Sequence, residues 1–82
     1  MKYKVNYNKD CLKYLKKLNR ETQLRIIKAI NELPFGDIKK LKGSSSYYRL
    51  RIGDYRVIFD REDSNFAIKV IQIASRGDVY KK

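Results

Sequence analysis

The first residues alternate: Tyr3, Val5 and Tyr7 are separated from one another by Lys4 and Asn6, with Lys2 ahead of them. A period of two marks a strand with one buried face. The period then changes. Cys11, Tyr14, Leu15 and Leu18 recur at helical spacing with lysines between them, Asn8 stands where a helix N-cap is expected, and Asp10 falls in the first turn. Asn19 opens a second helix whose apolar stripe is Ile26, Ile27, Ile30 and Leu33, with Leu24 at its edge. Glu21 suits the positive end of that helix, and Pro34 and Gly36 end it. The tight join between the two helices predicts an antiparallel hairpin. Residues 35–46 hold a Lys-rich stretch, Gly43 and three serines, which predicts a loop. Three strands are expected after it, at 47–52, 55–60 and 66–75, the last following a polar turn around Asp63-Ser64-Asn65. The expected fold is therefore α+β, in the order β-α-α-β-β-β: one domain over residues 1–82, a helical hairpin packed on a largely antiparallel sheet.

The pair Gly53-Asp54 sets the register of the central hairpin, because Gly at the first position of a two-residue loop signals a type II′ turn. Ile52 then faces Tyr55, Leu50 faces Val57 and Tyr48 faces Phe59, and these six form the core face. The other face carries Tyr47, Arg49 and Arg51 on one strand and Arg56 and Ile58 on the next, with Arg51 directly across from Arg56. Like charges at opposed positions are destabilising, so this arrangement suggests a site that expects an anion. Arginine also suits bidentate phosphate recognition better than lysine. The plainer alternative is a solvated face whose arginines pair with Asp60 or Glu62.

Composition strengthens the first reading. Twenty Lys+Arg against nine Asp+Glu leave a net charge of +11, which favours polyanionic partners, although an AT-rich genome also enriches lysine. At 82 residues the chain buries only roughly 60–65% of its unfolded surface, so the core must be compact. With no His and a single Cys11, neither a metal cluster nor an internal disulfide is expected. The alternating N-terminus does not read as a signal peptide, and no apolar run reaches membrane-spanning length, so a cytosolic location is expected. Tyr80 stands in a polar tail, Arg76-Gly77-Asp78-Val79-Tyr80. Such a tyrosine is more often a packing residue. Near arginines it could also stack on a base, and a cationic neighbourhood favours its phenolate.

The run Lys42-Gly43 followed by residues 48–59, Tyr-Arg-Leu-Arg-Ile-Gly-Asp-Tyr-Arg-Val-Ile-Phe, resembles the central hairpin of RelE/ParE-superfamily toxins. The ending at 76–80 resembles that family's C-terminal signature, an arginine followed shortly by Asp-Val-Tyr. With the element order, the resemblance covers nearly the whole chain. For RelE-type members it implies a metal-independent, ribosome-dependent endoribonuclease that cuts mRNA by attack of a 2′-hydroxyl on the adjacent phosphate, without a cofactor. It also implies a cognate antitoxin as partner, beside the ribosome and mRNA. On this resemblance Arg49, Arg51, Arg56, Arg76 and Tyr80 are the catalytic set, with Tyr80 the base. Lys39, Lys40, Lys42, Tyr47, Lys81 and Lys82 are the expected RNA contacts. The alternative within the superfamily is a ParE-like inhibitor of DNA gyrase, or a weak relative kept for antitoxin binding. Two positions depart from the RelE-type pattern: lysines are common where Arg49 and Arg51 stand, and Ser75 occupies a frequent histidine position. Strict alternation from Ile68 and Val70 would point Arg76 coreward, so the last strand is expected to end or bulge near Ala74-Ser75.

Overall fold

The computed structural model describes residues 3–43 and 46–75. Its elements are β1 (Lys4–Tyr7), α1 (Lys9–Lys17), α2 (Arg20–Asn31), β2 (Ile38–Lys40), β3 (Tyr47–Ile52), β4 (Tyr55–Glu62), a 3-10 turn at Asp63–Asn65, and β5 (Ala67–Ser75). The strands form one sheet in the order β1-β5-β4-β3-β2. Only β1 and β5 run parallel, and the other three pairings are antiparallel.

Three boundaries differ from expectation. The loop predicted at 35–46 contains β2, which pairs Ile38 with Leu50, Lys39 with Arg49 and Lys40 with Tyr48. Three residues are too short for a periodic pattern to show, and β2 is held by its neighbour rather than by its own propensity. β4 runs on to Glu62, and β5 starts at Ala67 because Phe66 adopts a left-handed backbone (φ 49°) that closes the 3-10 turn.

The helices form where the pattern placed them, and each is capped by an asparagine. Asn8 Oδ1 accepts from the Cys11 N–H at 2.8 Å, and Asn19 Oδ1 accepts from the Thr22 N–H at 2.8 Å. Asp10 and Lys16-Lys17 at opposite ends of α1 complement its dipole. The helices join through Leu18 and Asn19, and Gln23 Nε2 donates to the Leu15 carbonyl at 2.6 Å, tying α2 back to the end of α1. Their buried faces supply Cys11, Leu15, Ile26 and Ile30. The sheet supplies Leu50, Ile52, Val57, Phe59, Ile68, Val70 and Ile73, completing one apolar layer with Leu33. Burial pushes the Cys11 thiol pKa up.

Asn8 does more than cap. Its side-chain Nδ2 donates to the Ile71 carbonyl at 2.7 Å, and its backbone N–H donates to the Val70 carbonyl at 3.3 Å. Ile71 is the extra residue of a β-bulge: Ile58 pairs with Gln72 while Phe59 pairs with Val70. An end or a bulge of the strand was expected near Ala74-Ser75, and a bulge lies three residues before Ala74. It changes which residues face the helices, from the even positions Ile68 and Val70 to the odd position Ile73. A cleft of about 420 Å³ opens beside it, between α1 and β5.

At the far end of β4, Arg61 Nε and the Tyr3 hydroxyl both donate to Asp63 Oδ1, at 2.7 and 2.8 Å. The guanidinium also lies 5.4 Å from the Tyr48 ring centroid, and Tyr48 stacks on Phe59. The hydrogen bond from Arg61, aided by that from Tyr3, holds the Asp63 carboxyl below its usual range.

Two outcomes follow. Asn8→Ala, which loses both a cap and the bulge anchor, should cost about 1–3 kcal/mol in urea unfolding. Asn8→Asp, which keeps the cap and loses only the Ile71 contact, should cost less; equal losses would mean that the cap contributes nothing, and no loss in Asn8→Asp would mean that the Ile71 contact contributes nothing. A carboxyl with a lowered folded pKa stabilises above its ordinary range and loses that contribution as pH falls through the lowered value. The melting temperature of Asp63→Asn should therefore lie below that of the parent at neutral pH and converge with it in acid, which a thermal scan at stepped pH would show or refute.

Candidate nucleic-acid interface

The hairpin has the register that its turn predicts. Gly53 has φ 57° and Asp54 does not have a positive φ, as a type II′ turn requires. Across it Ile52 meets Tyr55, Leu50 meets Val57 and Tyr48 meets Phe59, toward the helices. Arg51 meets Arg56, Arg49 meets Ile58 and Tyr47 meets Asp60 on the outer side.

The neighbouring strands extend these pairs into rows across the outer face. One row reads Lys39, Arg49, Ile58, Gln72; the next reads Arg51, Arg56, Ala74. Strands in a sheet lie about 4.8 Å apart. Four cations on three adjacent strands thus share a small area. Arg49 and Arg56 are half-buried and Arg51 is exposed, so their stems lie on the sheet while the guanidiniums reach outward.

Pairing with nearby acids does not account for them. The ion pair among the described residues is Arg61–Asp63, at the end of β4. Asp60 lies in the row of Tyr47 and Lys69, next to that of Arg49, and forms no ion pair with the arginines, and Glu62 accepts from Asn65 Nδ2 at 3.0 Å. Arg49, Arg51 and Arg56 therefore have no carboxylate partner among the described residues. Asp37, whose carbonyl accepts from the Arg51 N–H at 3.0 Å, and Asp60, one row beyond Arg49, are neighbouring acids on this face, and neither forms an ion pair with the arginines. An oxyanion between Arg51 and Arg56 would turn a repulsive pair into two charge-assisted contacts.

The expected site residues divide into three groups. Arg49, Arg51, Arg56 and Tyr47 share the outer face, and Lys39 joins them through its pairing with Arg49. Lys40 pairs with Tyr48 and so points to the opposite side of the sheet, and Lys42 lies in the turn beyond β2. Arg76, Tyr80, Lys81 and Lys82 lie outside the described residues. Lys39 was expected as a loop contact; its place on the sheet follows from β2, whose only sequence signal is the pair of flanking glycines Gly36 and Gly43. Among the described residues no group of His, Cys, Asp and Glu is arranged to hold a metal ion.

Comparison with known proteins gives a consistent picture. Residues 5–80 match the family model described as the ParE toxin of the type II toxin-antitoxin system parDE. The chain is 35% identical to a protein named toxin RelE1 from Methanocaldococcus jannaschii, in an alignment covering 99% of this chain and 98% of that one. A chain of the archaeal RelE–RelB complex from Pyrococcus horikoshii OT3 superposes with a TM-score of 0.78 at 30% identity, covering 94% of this chain and 98% of that chain. The intact Escherichia coli RelBE toxin–antitoxin complex contains a chain of the same fold, with a TM-score of 0.74 at 22% identity, covering 89% and 95%.

If Arg51 and Arg56 repel each other in the free protein, replacing one with a neutral strand former relieves a cost. Arg56→Thr should raise the unfolding free energy by a few tenths to about 1 kcal/mol, with an unchanged denaturant slope. A clear loss of stability instead would show that Arg56 packs or pairs in a way that offsets the repulsion.

Proposed function

The chain belongs to the RelE/ParE superfamily of type II toxin–antitoxin toxins, and on that premise we propose that it is a ribosome-dependent endoribonuclease that cleaves mRNA and arrests translation in the cytoplasm. The observation that carries this reading is the Arg51–Arg56 pair, set across one ladder rung with Arg49 and Lys39 in the next row and no carboxylate partner among the described residues. An RNA backbone supplies the anion such a surface lacks.

In the proposed reaction the substrate's own 2′-oxygen attacks the adjacent phosphorus. The O2′–P bond forms, the P–O5′ bond breaks, and the 2′-hydroxyl proton passes to a base. Tyr80, carried over from the family's C-terminal signature, is the proposed base, acting as its phenolate. Arg49, Arg51 and Arg56 stabilise the charge that grows on the non-bridging oxygens. Arg76 holds the same phosphate near the leaving oxygen. Arginine stays protonated, so its role is electrostatic rather than that of a proton donor. Ser75 occupies a frequent histidine position and the chain has no histidine, which leaves the acid–base work, including delivery of a proton to the departing 5′-oxygen, to tyrosine, lysine, aspartate or glutamate side chains.

The partner proposed for the resting state is a cognate antitoxin. The support is that similar chains are found in RelE–RelB complexes, and that a +11 chain favours an acidic or amphipathic segment laid over its arginine face. A second reading, inhibition of DNA gyrase, is favoured by the match to a ParE toxin model.

Brief expression of the chain alone should create new mRNA 5′ ends within coding regions, read by primer extension and abolished when translation initiation is blocked. Arg56→Ala should slow cleavage by roughly 10²-fold or more, as removal of an oxyanion donor does elsewhere, and Tyr80→Phe should also reduce it. Growth arrest without such ends, together with loss of supercoiling by purified gyrase, would replace the RNA reading with the gyrase one.

A further inference from the structure

The tip of the β3–β4 hairpin is approached from the helix side by Arg25 of α2. A Cβ built on Gly53 would run into the Arg25 guanidinium, Nη2 first, with Cζ 3.3 Å and Nη1 3.9 Å from the same point. Glycine at 53 is required by the positive φ of the turn, and the mobile tip of the Arg25 side chain rests in the space that its missing side chain leaves. Arg25 precedes the fully buried Ile26, so its stem leaves α2 at the border of the buried stripe. It is exposed and has no ion pair or hydrogen bond with the described residues, Asp54 of the turn included. Its donors are unspent.

Arg51 lies two residues before Gly53 and Arg56 three residues after it, on the outer side of the same hairpin. The Gly53-Asp54 turn stands at the tip between them and Arg25. Cations therefore succeed one another along the hairpin: Lys39 and Arg49 in one row, Arg51 and Arg56 in the next, then Arg25 at the end. Adjacent rows on one face are two residues, roughly 7 Å, apart. That spacing suits successive phosphates of an extended strand.

We infer that Arg25 is an RNA-binding residue, which takes the backbone phosphate next along from the one at Arg51 and Arg56 and so leads the strand over the hairpin tip. The inference rests on the nucleic-acid reading of the sheet face and adds to it a direction for the strand and a contact supplied by a helix. Arg25 acts in binding and is not placed at the reacting atoms.

The test is direct binding of a short, labelled, single-stranded oligoribonucleotide, followed by fluorescence anisotropy across a potassium chloride series. Four proteins are compared: the parent, Arg25→Gln, Arg25→Lys, and Lys16→Gln, which removes the same charge from α1. For a single strand, each lost phosphate contact lowers the slope of log affinity against log salt by about 0.7. Arg25→Gln should show that drop with an unchanged melting temperature, Arg25→Lys should recover it, and Lys16→Gln should match the parent. An unchanged slope in Arg25→Gln, or equal drops in Arg25→Gln and Lys16→Gln, would overturn the inference while leaving the sheet face as the RNA site. Failure of the parent itself to bind RNA would instead overturn the functional reading on which it rests.

Discussion

The placement of the three arginines on the outer face of the sheet depends on one two-residue turn. With Gly53 at φ 57°, the hairpin has a single register, in which Leu50, Val57 and Phe59 point to the helices and Arg49, Arg51 and Arg56 point away. A slip of one residue would exchange the two sets and drive guanidiniums in among Ile26 and Ile30. Core and arginine cluster are thus two results of the same constraint. Burying an aliphatic or aromatic side chain stabilises by about 1.5–3 kcal/mol, and a like-charged cross-strand pair costs at most about 1 kcal/mol. The apolar face can therefore hold the cations together against their repulsion.

β5 needs a second device because its apolar positions change parity. Ile68 and Val70 face the helices from even positions and Ile73 from an odd one, so an unbroken strand could not bury all three. The bulge at Ile71 makes the exchange, and Asn8 fixes where it occurs by donating to the carbonyls of Val70 and Ile71. A residue that starts a helix thereby decides that Gln72 and Ala74 lie beside Ile58 and Arg56.

What the sequence made legible is what short-range pattern encodes. The helical spacing of Cys11, Leu15, Ile26 and Ile30, both asparagine caps, and the hairpin register all follow from neighbours a few residues apart. Three features did not show. β2 depends on the backbone of β3, and a three-residue strand has no period of its own. The break in alternation, expected as an end or a bulge near Ala74-Ser75, comes at Ile71, since mixed parity from Ile68 to Ala74 says that alternation breaks but not where, and the anchor at Asn8 is more than sixty residues away. Arg25 read as part of a polar helix face, because nothing local to α2 indicates that a glycine turn will lie beneath it. The candidate site was thus legible on its strands, and hidden where it draws on elements distant in the chain.

The sheet ends on one side at β2, only three residues long, with two exposed lysines among them. An open edge offers free N–H and C=O groups to any other strand, and short, lysine-bearing edges are a common way to refuse such a partner. Here the cost of bringing two such edges together would be Coulombic, since each copy brings Lys39 and Lys40 and a net charge of +11. Self-association through this border is therefore disfavoured even at high concentration, and more so in dilute buffer than in brine.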